Sequence, residues 1–229
     1  IGRSPDEWIF RGERKIDQVL LRIIDFDLNN LNEIGVENIK DLAEYQHKET
    51  VTWLNIDGLH DKTTMEEITK VFNLDTLVMA DVLNTEARPR FIEHDNCVLI
   101  TIKMLRLNEK KNRAIVENLS LLLTKNVLIS FQEQKGDVFE PVRERIRKQK
   151  KRIRSRGTDY LIFALLDIVV DNYLYVISVL GEKIETLEEN LLINPQKDII
   201  NEINNFKREL NFLRKNIKPA SEMIFTLNK

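Results

Sequence analysis

Near the C-terminal end of this sequence, apolar residues recur alternately four and three positions apart: Leu166, Val170, Tyr173, Ile177, Leu180, Ile184, Leu187 and Leu191. Ile199, Ile203, Phe206, Leu210, Leu213, Ile217, Ala220, Ile224 and Leu227 repeat the pattern. A mean spacing of about 3.5 residues keeps an apolar seam on one side of a helix along its whole length. Ile193-Asn194-Pro195 separates the runs, and an Asn followed by Pro suits the end of one helix and the start of the next. The pattern therefore predicts a long antiparallel helical hairpin. Each arm has about 33 residues and a length of roughly 50 Å at the helical rise. Wide, charged polar faces favour a hairpin that projects from the rest of the chain, with a compact bundle core as the alternative. Pro219 removes one backbone donor and is expected to kink the second arm.

The sequence before the hairpin has a different texture. Gln18–Phe26 and Val51–Ile56 read as strands, and Val36–Tyr45 as a short helix. Thr63 or Thr64 is expected to cap a helix reaching Phe72, with Glu66 or Glu67 closing a capping box. Another helix fits Asp75–Leu83. Four strands follow at Arg88–Glu93, Cys97–Leu107, Ala114–Thr124 and Val127–Gln132. The last two are joined by Lys125-Asn126, where Asn tolerates positive φ, and a charged link at 108–113 should sit in water. A helix from Asp137 or Glu140 to about Arg156 then stops before Gly157. Helices on both sides of the strands predict a three-layer α/β/α domain with a mixed sheet over residues 1–156, followed by the hairpin over 157–229.

Composition narrows the class. With 42% apolar residues and a net charge of -2, the chain is too apolar and too nearly neutral for disorder. A single cysteine, Cys97, excludes a disulfide framework. Asp167, Asp171 and Asn172 interrupt the most apolar stretch, Leu161–Leu180, which argues against a self-contained membrane protein. The sequence opens at Ile1 without a basic-then-apolar leader, so no signal peptide is expected.

Little in the sequence supports catalysis. No nucleophile–base constellation or glycine-rich phosphate loop is visible. His47, His60 and His94 lack metal-ligand spacing and read as surface histidines, and Cys97 as a packed, inert thiol. From Arg143 to Arg156, nine of fourteen residues are Lys or Arg. Such a run can bind phosphates, but no aromatic residues are interleaved for stacking, and a solvated face pairing with acidic helices is preferred. The carboxylates are more informative. Asp167 and Asp171 lie one helical turn apart within an apolar stretch, which calls for a cation, a basic side chain or water as partner. Asp81 ends the apolar run Leu77-Val78-Met79-Ala80 in the same way. By themselves these residues hint weakly at a hard cation.

Several segments together resemble the cytoplasmic part of a CorA-type divalent-cation transporter. They are Met79–Asn84 with Ala87-Arg-Pro-Arg90, Leu121–Glu133, Lys135–Arg147, Asp159–Asp171 and Leu210–Pro219. The resemblance follows the order of nearly the whole chain and is poorest over the first sixty residues. It implies an α/β/α domain, two helices, then a long stalk leading to two membrane spans per subunit, five subunits forming a funnel around one pore. The spans and the family's Gly-Met-Asn signature are not in the sequence, so it is expected to be an isolated soluble domain on the cytoplasmic side of the inner (plasma) membrane.

The resemblance also implies a mechanism. Regulatory Mg²⁺ bound between neighbouring subunits would hold the channel closed. Asp81 matches the family's acidic position after the short apolar helix, although the preceding residue here is Ala80. Asp171 falls in the helical carboxylate segment, with Asn172 beside it, and Asp167 lies one turn away. The remaining acidic partner would come from the stalk. The implied function is a sensing and gating domain for a magnesium channel, with Co²⁺ or Ni²⁺ as other cargo, and no enzyme activity. The alternatives are the same domain in a Zn²⁺-transporting relative, and a soluble scaffold whose hairpin docks another protein. A nucleic-acid binder using Arg143–Arg156 is the least favoured reading.

Overall fold

A computed structural model describes residues 8–108, 113–193 and 198–227. Seven strands form one mixed sheet: β1 (Leu20–Phe26), β2 (Leu31–Gly35), β3 (Val51–Asp57), β4 (Arg90–Glu93), β5 (Val98–Asn108), β6 (Arg113–Leu123) and β7 (Val127–Gln132). Their order is β2-β1-β3-β7-β6-β5-β4, with β3 and β7 parallel and every other pair antiparallel. The α/β/α expectation holds, and so does the long pair of helices after it.

Alternation along the strands gives the sheet two apolar faces. On β3, Trp53 points to one face while Leu54 and Ile56 point near the other. The second face is covered by a 3-10 helix (Ile39–His47), α1 (Lys62–Val71) and α2 (Thr76–Val82) through Leu42, Met65, Ile68, Val78 and Met79. The first is covered by α3 (Glu140–Arg147), α4 (Lys151–Arg154), α5 (Thr158–Ile193) and α6 (Asp198–Leu227).

The helix starts correct one expectation. Asp61, not Thr63 or Thr64, caps α1, its side chain accepting from the backbone N–H of Thr63 at 3.1 Å. Asp75 caps α2 in the same way at 2.8 Å. A carboxylate directly before the first turn satisfies orphan donors and faces the positive end of the helix.

Strand β2 was absent from the sequence reading. Its residues Asn32–Gly35 are exposed, so no burial pattern marks them. The turn before it depends on Asp27, whose carboxylate accepts from the backbone N–H groups of Asn29 and Asn30, both at 2.7 Å. The tight turn between β6 and β7 forms, closed by the Thr124 N–H donating to the Val127 carbonyl at 2.9 Å, but Asn126 does not use positive φ, which among the described residues falls at Gly58, Asn73, Gly136 and Gln149. Its side-chain amide instead donates to the carbonyl of Lys48 at 2.7 Å. Residues 109–112 of the charged link lie outside the described set.

The predicted basic helix is broken. α3 ends at Arg147, Gln149 takes φ +50, and α4 is a separate short turn. Three of the basic side chains are tied into the fold, while Lys148, Lys150, Arg152 and Arg156 stay exposed. Arg143 is buried, ion-paired with Asp137 and stacked 4.9 Å from the Trp53 ring. Arg147 reaches Glu33 on β2 at 2.8 Å and also bonds Glu140. Arg154 donates to the carbonyls of Ile146 and Asp27 at 2.8 and 3.0 Å.

The helical seam also needs a correction in register. Along the first half of α5 the buried residues include Leu161, Leu165, Val169, Tyr173, Val176 and Leu180, with Ile162 and Ala164 beside them. Leu166 and Val170 are half-buried and Ile177 is exposed. The stretch is apolar almost all round, so periodicity cannot choose between adjacent seams; packing on the sheet makes the choice. α5 has the length and apolarity of a membrane span. Its inward residues pack instead on β5, β6 and β7, the position of a core helix. α6 continues through Pro219 to Leu227.

Candidate functional site

The three expected carboxylates occupy different surroundings. α2 is anchored by Val78, Met79 and Val82 in the core, which carries Asp81 to the rim of that helix. There Asp81 Oδ1 lies 2.7 Å from Nη2 of Arg90, the first residue of β4, and both side chains remain about one-third exposed. Water reaches the Asp81 side of this pair, whereas Nη2 and Nε of Arg90 are themselves shielded from it. Arg90 belongs to a segment that resembles the family, but its role as the partner of Asp81 carries no sequence signal.

Asp167 and Asp171 stand exposed on the outward side of α5, away from the sheet. Because α2 and α5 cover opposite faces of the sheet, Asp81 does not converge with Asp167 and Asp171 within one chain. Among the described residues, no group of three or more His, Cys, Asp or Glu side chains is placed to hold a metal ion. A cation using Asp81 together with Asp167 or Asp171 would have to collect them from different copies. The histidines lie at element ends or loops, and Cys97 is buried, its thiol pushed up by desolvation.

A buried polar cluster escaped the sequence reading. At the C-terminal ends of the parallel strands β3 and β7, the Trp53 indole donates to Ser130 Oγ at 2.9 Å, and Ser130 donates to Asn55 Oδ1 at 2.9 Å. Asn55 in turn donates to Asp57 Oδ1 at 3.0 Å. Burial raises the Asp57 carboxyl above its ordinary pKa, with Asn55 and Arg22 opposing the shift. A second cluster lies nearer the β5–β6 edge. Glu117 accepts from Arg106 at 2.9 Å and from the backbone N–H of Glu133 at 2.8 Å, and burial still raises its carboxyl. Lys103 donates to Asn118 Oδ1 and to the carbonyl of Thr85, and desolvation lowers its pKa. Each group has its partner within the core, as a structural network requires.

Comparison with known proteins identifies the fold and the family. The model of the CorA-like Mg²⁺ transporter protein family matches residues 48–229. This chain belongs to that family. It is 32% identical over 226 residues to the cobalt/magnesium transport protein CorA of Thermotoga maritima, an alignment covering 99% of this chain and 64% of that protein. The chain spans about three-fifths of the length of the curated relatives it matches. Among solved structures, the soluble domain of CorA from Methanocaldococcus jannaschii superposes with a TM-score of 0.70 at 16% identity, covering 90% of this chain and 79% of that one. The ZntB cytoplasmic domain from Vibrio parahaemolyticus superposes with a TM-score of 0.65 at 14% identity over the same shares, 90% and 79%. At such identities the two superpositions establish the shared fold.

Proposed function

We propose that this chain is the cytosolic ion-sensing and gating part of a CorA-type magnesium transporter, with Co²⁺ or Ni²⁺ as further cargo. The observation that carries this reading is the family match over residues 48–229. In the longer protein, five copies would surround one pore on the inner face of the plasma membrane, anchored by spans outside this sequence. The role is transport and regulation, not catalysis.

Regulation follows from carboxylates on separate copies. Two such groups about 4 Å apart repel by roughly 4 kcal/mol near a protein surface. A hydrated Mg²⁺ between them turns repulsion into attraction without full dehydration. Loss of the ion then favours a splayed packing of the ring over a closed one. Oxygen-only donors such as Asp81, Asp167 and Asp171 suit this hard cation. Because Arg90 already neutralises Asp81, a cation there competes with a guanidinium, and Asp171 is the less encumbered ligand. A zinc-transporting role is the second reading, favoured by the fold shared with the ZntB domain.

The test is current through the full-length protein as internal magnesium is varied. Asp81→Ala and Asp171→Ala are expected to raise the magnesium needed for closure, and Arg90→Ala to lower it. Unchanged inhibition in both aspartate variants removes these residues from the sensor.

A further inference from the structure

Residues 8–15 form a strap across α2. Trp8 and Phe10 are half-buried against the core of the sheet's second face. The Trp8 indole donates at 3.0 Å to the carbonyl of Thr76, the first residue of α2. Three residues on, the Arg11 N–H donates at 3.0 Å to the carbonyl of Leu83, the C-cap residue of that helix. Carbonyls at a helix end lack an intrahelical partner, and the strap supplies one. The Arg11 carbonyl accepts in turn from the N–H and the hydroxyl of Thr85, at 3.1 and 2.5 Å. The fit is close: a Cβ on Gly12 would stand 2.5 Å from Thr85 Oγ1 and 3.0 Å from the Phe10 ring.

The strap is fastened at its far end as well. Lys15 Nζ lies 2.6 Å from Glu133 Oε2, and the Glu133 side chain is only 6% exposed. The other oxygen of Glu133 accepts from the backbone N–H of Asn118 at 2.9 Å. Asn118 Oδ1 accepts from Lys103 at 2.9 Å, and Lys103 also donates to the Thr85 carbonyl at 2.8 Å. Thr85 leads back to Arg11, so these contacts close a circuit through the strap, the exit of α2 and the sheet. Removing one member leaves a buried donor or acceptor without its partner, which is costly. Between Asp81 and Arg90 the chain passes through Leu83 and Thr85, the two residues that the strap holds.

We infer that residues 8–15 are a positioning device for Asp81: by pinning both ends of α2 and the turn after it, they fix where that carboxylate stands for a cation. The inference rests on the sensor reading of Asp81 given above. α2 is only seven residues long, and a helix that short takes its stability from what packs and bonds against it. Arg90 keeps its place without the strap, because β4 is held by pairing with β5. A carboxylate that must be ordered as the ion arrives binds it more weakly than one already in place. With the strap released, more magnesium is needed to reach the closed ring.

Current through the full-length protein, read as internal magnesium is varied, tests this. Gly12→Ala forces the strap off Thr85, and Thr85→Val removes the hydroxyl. Each should raise the magnesium needed for closure about two- to tenfold, the factor expected for ordering one side chain on binding. Thr85→Ser keeps the hydroxyl and should behave as the parent. In an Asp81→Ala background, neither Gly12→Ala nor Thr85→Val should shift closure further. The same shift in both backgrounds would mean that the strap acts elsewhere, and overturns the inference. Unshifted Gly12→Ala and Thr85→Val beside a shifted Asp81→Ala overturn it too, and leave the sensor reading standing. An unshifted Asp81→Ala removes the sensor reading itself, and the positioning role with it. Hydrogen exchange of the same proteins reads the strap directly. In Gly12→Ala the amides of Asn84 and Thr85 should exchange about tenfold faster or more, with those of β6 and β7 unchanged. Equal rates in Gly12→Ala and the parent would show that the strap does not hold the exit of α2, and overturn the inference.

Discussion

The base and the tip of the α5–α6 hairpin are written in nearly the same pattern and are treated oppositely by the fold. At the base, Leu165, Val169, Tyr173 and Val176 are sealed against the sheet, joined from α6 by Leu213, Ala220 and Met223. At the tip, Leu192 is 83% exposed and Ile200 64%. A heptad seam guarantees that a helix has an apolar side; it does not say what covers it. At the base the cover is the sheet, and along the outward groove the described residues supply none.

The strongest way to break this contrast is at the buried charge beneath the base. Removing the guanidinium with Arg143→Ala leaves Asp137 buried and unpaired, its side chain only 4% exposed. The expected loss is about 3–5 kcal/mol, read as a lower urea midpoint at unchanged slope; an unchanged midpoint would show that the site takes in water. Next in size is Leu165→Ala, a fully buried truncation expected to cost about 2–5 kcal/mol. Leu192→Ala is its counterpart at the tip, expected to stay within roughly 0.5 kcal/mol in the monomer. Equal losses from the two would mean that base and tip form one core.

Asp57 sharpens the comparison on the buried side. Its folded pKa is raised, so its contribution to stability is present in full below the unfolded value near 3.8 and is lost as pH rises through the folded one. Asp57→Asn should therefore stabilise the protein at pH 7, read as a higher Tm. The gain should vanish at pH 3, and a gain independent of pH would point to packing instead of charge. The smallest effect expected is that of Leu192→Ala.

Much of the architecture was legible because its causes are local. Alternation in Val127–Gln132, the punctuation around Asp75–Leu83 and the paired apolar repeats each depend on neighbours in sequence. Exposed β2 lacked such a signal, and so did the break at Gln149, where a good helix-forming residue adopts φ +50. The candidate site was legible only as residue types. Asp81, Asp167 and Asp171 were found because carboxylates beside apolar runs are unusual, whereas the pairing of Asp81 with Arg90 depends on where an edge strand ends.

The order of residues alone was enough to settle the α/β/α layering, the long hairpin and the family, since these rest on periodicity and on matched segments. Tertiary structure decided which side of α5 is inside, that Arg143 is a buried strut and not part of a solvated basic face, and that the acidic candidates lie on opposite faces of one sheet. Such outcomes depend on which surfaces meet across the sheet. An apolar helix presents several equivalent faces until a particular neighbour excludes water from one of them.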